Sequence, residues 1–172
     1  MMRRATMLHM LATCAGLVLA GAAQAADPPV LSTSRQLTLE AARIAADAAL
    51  AACRDEGATV AVAVLERSGL PLVMLRDPLA GMHTPDTAIA KARTAISFKS
   101  STIELLRATG PDTPNGAIRH LPGVVVLGGG LLVEAAGSIV GGIGVSGAPS
   151  GQLDEDCARK GIDAIADMLE FG

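Results

Sequence analysis

Residues 39–56 place polar and apolar positions at helical spacing: Glu40, Arg43, Asp47 and Arg54 share one face, and Ala41, Ala45, Ala48 and Ala52 lie opposite. Thr38 precedes the run as a cap and Gly57 follows it as a stop. The inward face is almost all alanine, so the spacing predicts a helix that approaches its neighbour closely. The pattern then changes. Thr59–Glu66 (TVAVAVLE) is rich in β-branched residues and predicts a strand. Arg67-Ser68-Gly69 predicts a turn and Leu70–Arg76 (LPLVMLR) a second strand, so the two form a hairpin. Pro71 near the start of that second strand marks an edge or a bulge.

A loop containing Pro78 and Gly81 leads into Thr84-Pro85-Asp86, which opens a helix running to about Phe98. Thr84 is expected as its cap, Pro85 in its first turn and Asp86 at the positive end of its dipole. Ser101 and Glu104 spell a capping box for a short helix ending near Arg107. Residues 108–122 read as a polar loop. Three apolar runs follow, Val124–Leu127, Leu131–Ala135 and Ser138–Val145, punctuated by Gly128-Gly129-Gly130 and Ala136-Gly137. Beyond a loop at 146–152, a last helix is expected from about Asp154 to Glu170, its acidic start suited to a helix N-terminus. The order α-β-β-α-α-β-β-β-α predicts one α+β domain over residues 37–172. Its tight connections make a five-stranded, mostly antiparallel sheet flanked by helices.

The amino-terminal residues follow another logic. Met1-Met2-Arg3-Arg4 sets positive charge before an uncharged apolar run, Leu11–Ala23, and Ala23-Gln24-Ala25 has the small residues of a cleavage site. This is the order of a secretory signal, with cleavage expected after Ala25. As a helix the run would cover only about 20 Å, short of the ~30 Å hydrocarbon core. A membrane anchor is therefore the weaker reading. The Arg3-Arg4 pair leaves twin-arginine export as the alternative to the general route. Cys14 precedes most of the apolar run, which argues against lipidation. Residues 26–36, with two prolines, read as an extended arm. Export implies a periplasmic or otherwise extracytoplasmic protein, without a membrane span after cleavage.

Composition narrows the function classes. The formal net charge is −3, and removing residues 1–25, which hold two arginines and no acidic residue, takes it to −5. There is no Trp and no Tyr, and the two aromatic residues are Phe98 and Phe171. Nucleic-acid binding, which needs basic excess and stacking rings, is a poor reading.

Two segments carry a family resemblance. "AVAVLERSGLPLVMLRDPLAGMHTPDTAIAKARTA" followed by "GGGLLVEAAGSIVGGIGVSGAPSGQLDEDCARKGIDA" resembles the GlcG/HbpS haem-binding family, related to the C-terminal domain of PduO-type proteins. The similarity spans about residues 37–170. It rests on the pairing of Ala88–Ala95 with Gly137–Glu155. The resemblance implies a profilin-like antiparallel sheet, homo-oligomerisation, haem as cofactor in at least some members, and a sensor or transporter protein as partner of exported ones. Two departures stand out. Family members commonly carry a proline soon after the glycine pair, where this chain has Gly129-Gly130-Leu131-Leu132, and Leu153 interrupts the Gln-Asp-Glu run.

His83 is the sharpest candidate for chemistry, because imidazole is the usual protein ligand of haem iron. The alternative is a solvated loop histidine. Neighbouring Met82 offers a thioether, and the helix end at Thr84 offers backbone N–H groups to a propionate. Lys91 and Arg93 stand at family-motif positions on the central helix, where they either pair with a ligand's carboxylates or form a solvated or interfacial face. Gly128, Gly129 and Gly130 lack the spacing of a phosphate loop and suit a tight turn or a close approach to a ligand. His120 reads as loop decoration, and Gly144-Val145-Ser146-Gly147 lacks the spacing of a nucleophile elbow. In an oxidising compartment Cys53 and Cys157 either pair, which would contribute about 3–4 kcal/mol, or remain two buried thiols. The leading expectation is an exported haem-binding protein. A small-molecule or haem-degrading enzyme and a partner-binding subunit without haem are the alternatives.

Overall fold

Alternation of size, not of polarity, organises the central strand. From Val60 to Leu65 every side chain is buried. Val60, Val62 and Val64 enter one core, while Ala61, Ala63 and Leu65 enter another on the opposite face. A strand apolar on both faces belongs between two layers of helix. The computed structural model, which describes residues 30–171, places it there. The elements in chain order are α1 (Leu39–Asp55), β1 (Ala61–Glu66), β2 (Pro71–Arg76), α2 (Thr84–Phe98), α3 (Thr102–Ala108), β3 (Gly130–Ala135), β4 (Ser138–Ser146), α4 (Gly151–Asp163) and α5 (Ala166–Phe171). The sheet order is β2-β1-β4-β3, with every pairing antiparallel. On the valine face α1 and α4 pack together, and α2 covers the alanine face.

Local chemistry sets the element ends. The Thr38 hydroxyl accepts the Ala41 N–H at 3.2 Å to cap α1, and Gly57 follows its end at φ +74°. The Ser101–Glu104 capping box is formed in full. Along α1 the buried stripe is Ala41, Ala42, Ala45, Ala46, Ala49, Leu50 and Cys53. Ala48 and Ala52, expected on this face, are half-buried at its margin. Small side chains let α4 come close, and the Cys53–Cys157 disulfide joins the two helices with Cα atoms 5.5 Å apart. Pro71 behaves as expected: β2 is an edge strand, and its pairing with β1 slips between Val64 and Leu65.

Among the described residues the sheet has four strands, not five. The run Val124–Leu127 forms no strand, and the Val125 N–H is instead taken by the Thr94 hydroxyl of α2 at 3.0 Å. Gly129, at φ +115°, turns the chain before pairing with β4 begins at Gly130. A side chain there would strike Val145 and Asp154. The apolar run is thus tied to α2 by the Val125–Thr94 bond and not to the sheet. The last helix also differs from expectation. It starts at Gly151, where the Ser150 hydroxyl accepts the Leu153 N–H at 3.1 Å, and it breaks after Asp163 before the short α5. Asp154 and Glu155 are therefore buried in a first turn and not an exposed acidic start. The expected signal segment, residues 1–25, and residues 26–29 of the arm lie outside the described residues. Residues 33–36 form neither helix nor strand.

Candidate functional site

At the end of β4 a cleft of about 430 Å³ opens between the first turns of α2 and α4. That volume falls within the roughly 300–1,000 Å³ of small-ligand sites. Lys91, Ser146, Asp154 and His83 contribute its polar lining. Lys91 stands on the same stripe of α2 as Thr84, Ala88 and Ala95, all buried against the sheet. Only 2% of Lys91 is exposed. Its ammonium donates to Asp154 Oδ2 at 2.8 Å and to the Val145 carbonyl at 2.9 Å. The other Asp154 oxygen accepts the Ala148 N–H at 3.0 Å, closing the loop between β4 and α4. Burial works against both charges: it pulls the lysine below its ordinary range and pushes the aspartate above its own, against the opposing pull of the partner.

The structure brings together part of the expected set. His83 is an exposed residue at the cleft rim and is the cap position of α2, although its side chain makes no capping bond. Its ring lies over Gly81, where an added Cβ would stand 2.8 Å from Cε1. Thr84, expected as the cap, is the first helical residue instead, and its hydroxyl donates to the Gly81 carbonyl at 2.8 Å, steadying the loop that carries His83. Gly128 lines the cleft, whereas Gly129 and Gly130 pack beneath it against Asp154 and the backbone of Lys91.

Other expected residues fall elsewhere. Met82 is 91% exposed and does not line the cleft. Arg93 sits two residues from Lys91 and so points to another side of α2. Its guanidinium donates to the Gly69 carbonyl at 2.8 Å and braces the β1–β2 turn. His120 lies exposed in a single 3₁₀ turn, Gly116–His120, away from the cleft lining. Among the described residues no group of three or more His, Cys, Asp or Glu is placed to hold a metal ion. Asp154 and Ser146 were missed as site residues. A lysine three residues after Ala88 and four before Ala95 lies on an apolar stripe, and such a lysine needs a buried acid. That was the available signal for Asp154.

Beside the cleft, Glu155 is 6% exposed, and its Oε2 has no hydrogen-bond partner. Its Oε1 meets Arg159 at only 3.4 Å. Burial raises its affinity for a proton, more than Arg159 and the Ile103 and Gly129 amides lower it. The folded protein therefore holds this proton to higher pH than the unfolded chain, and stability declines as pH rises from the unfolded value, about 4.3, to the folded one. Glu155→Gln is expected to stabilise the protein at pH 7 by on the order of 1 kcal/mol. Thermal melts should show that gain vanishing near pH 4. An equal gain at both pH values would contradict a buried, proton-hungry carboxyl.

An antiparallel sheet covered by helices on both faces, with a cleft at one strand end, defines a small α+β domain with a candidate ligand site. A family model described as "Haem degrading protein HbpS-like" matches residues 37–163, and the chain belongs to that family. A solved, doubly substituted form of HbpS from Streptomyces reticuli is 44% identical, with a TM-score of 0.75, covering 82% of this chain and 94% of that one. A structure described as a PduOC:heme complex is 31% identical, with a TM-score of 0.72, covering 76% and 95%. Among curated relatives, the corrinoid adenosyltransferase PduO of Citrobacter freundii is 35% identical over 108 residues, 62% of this chain. The chain spans about a third of that relative's length, 32%.

Proposed function

We propose that this protein binds haem in the cleft at the end of β4 and acts outside the cytoplasm as a haem-handling accessory, passing its cargo to a sensor or transporter. The observation that carries the reading is His83, held over Gly81 at the rim of a cleft in a family one of whose relatives is solved with haem. The donor set fits. Imidazole is a strong axial ligand, and Gly81, Gly128, Gly147 and Ala148 give the cleft walls the low relief a flat ring needs. Bound haem supplies ligand exchange and one-electron chemistry at its iron. The chain supplies the imidazole at the rim, the ion pair beneath and a wall without aromatic rings.

Haemin added to apoprotein should give a saturable, shifted Soret band, and His83→Ala should weaken binding by about tenfold, near 1.4 kcal/mol. An unchanged haemin spectrum at stoichiometric protein rules the proposal out. Export is tested by fractionation and by an amino terminus at Ala26.

The family description also names haem degradation. Lys91, Asp154 and His83 are the acid–base groups of the cleft. Steady loss of the haem spectrum with a reductant and oxygen, faster than for free haem, would favour a catalyst, and a stable complex a carrier.

A further inference from the structure

Ser146 closes β4 two residues beyond Gly144, on the face of the sheet that α2 covers. It is 5% exposed and lines the cleft, yet its hydroxyl has no hydrogen-bond partner among the described residues. Among the described residues the one buried side-chain oxygen left without a partner is Glu155 Oε2, so the Ser146 hydroxyl reaches the cleft itself and is free to donate to whatever occupies it. Further donors border the same cleft. Lys91 uses two of its three N–H groups, on Val145 and Asp154, and keeps one. The 13-residue helix α4 begins here, and the N–H groups of its first two residues, Gly151 and Gln152, have no acceptor among the described residues. Its positive end faces the cleft. Asp154 adds the opposing charge, but Lys91 and the Ala148 N–H hold both of its oxygens.

From this we infer that the inner end of the cleft is a carboxylate-binding subsite, with the Ser146 hydroxyl, the remaining Lys91 N–H and the first turn of α4 as its donors. The inference deepens the haem reading and rests on it for the body of the ligand: the carboxylate is the propionate of a tetrapyrrole. A free short-chain carboxylate is the other source of the same chemistry. On this view the protein grips its ligand by the acid side chain as well as by iron, and recognition survives removal of the metal.

Metal-free protoporphyrin IX and its dimethyl ester separate the two grips, because neither has iron for His83. Porphyrin fluorescence against the full chain should show the free acid binding at least tenfold more tightly than the ester. Ser146→Ala, which removes one oxygen and leaves the packing, should erase most of that preference. In parallel, sodium propionate should shift the amide resonances of residues 147–152 saturably in the wild type and not in Ser146→Ala. If the ester binds as well as the acid and propionate shifts nothing, the subsite is wrong while the haem reading stands. If neither porphyrin nor haemin binds but propionate shifts those amides through Ser146, the haem reading fails and the subsite stands for a free carboxylate. No response to any of the probes overturns both.

Discussion

Asp154→Ala should destabilise the protein by about 3–5 kcal/mol, because it leaves the Lys91 ammonium buried without its counter-charge. The aspartate also holds the Ala148 N–H, so the loop into α4 loosens with it. Urea unfolding should show a lower midpoint with an unchanged slope. Lys91→Met combined with Asp154→Leu removes both charges and should recover most of the loss, as replacing both members of a buried pair commonly does. A single variant that costs under about 1 kcal/mol, the worth of a surface pair, would mean that water reaches the lysine. The double variant carries a second expectation: it folds, yet it no longer offers a cation at the cleft floor.

Loss of the Cys53–Cys157 bridge should cost a similar amount. The bridge closes a separation of 104 residues, for which loop-closure entropy gives about 4–5 kcal/mol. At roughly 2–4 °C per kcal/mol, melting should fall by about 10–15 °C in Cys53→Ala/Cys157→Ala. Reducing the wild type should reproduce the shift, with thiol titration reporting the two cysteines freed. A reduced protein that melts with the oxidised one would leave the alanine-lined contact of α1 with α4 as what joins those helices.

Much of the fold was legible because periodicity and capping are local. The cap at Thr38, the box at Ser101–Glu104 and the hairpin at Arg67–Gly69 all depend on residues within a few positions of one another. The fifth strand failed for the opposite reason. Val124–Leu127 has the composition of a strand, but whether it pairs is decided by Gly129 turning the chain and by Thr94, thirty-one residues away, accepting the Val125 N–H. The site divides in the same way. His83 announces itself by chemistry and by the helix start beside it. Lys91 was visible as a motif position, but its role depends on Asp154, sixty-three residues later in the chain. Ser146 lacks the spacing of a nucleophile, and only the folded arrangement brings its hydroxyl to the cleft beside Lys91 and the first turn of α4. Arg93 looked equivalent to Lys91 in the motif, yet a turn of two residues on a helix sends it to the Gly69 carbonyl.

Gly144 lies directly under α2, where a side chain would collide with the Ala88 carbonyl oxygen, and Gly142 lies under Ile96. The height of α2 above the sheet is thus set by backbone against backbone, and Lys91 rides at that height. No substitution in the frame can lower the helix further, and any larger residue lifts it together with the floor of the site. The scaffold leaves little of the rim unconstrained: a side chain at Gly147 would strike Thr59 and Val60, and Ser150 caps α4, so the exposed Met82 and Pro149 are the rim positions freest to vary. Relatives built on this frame should change ligand preference there first, while the glycines of β4 stay as they are.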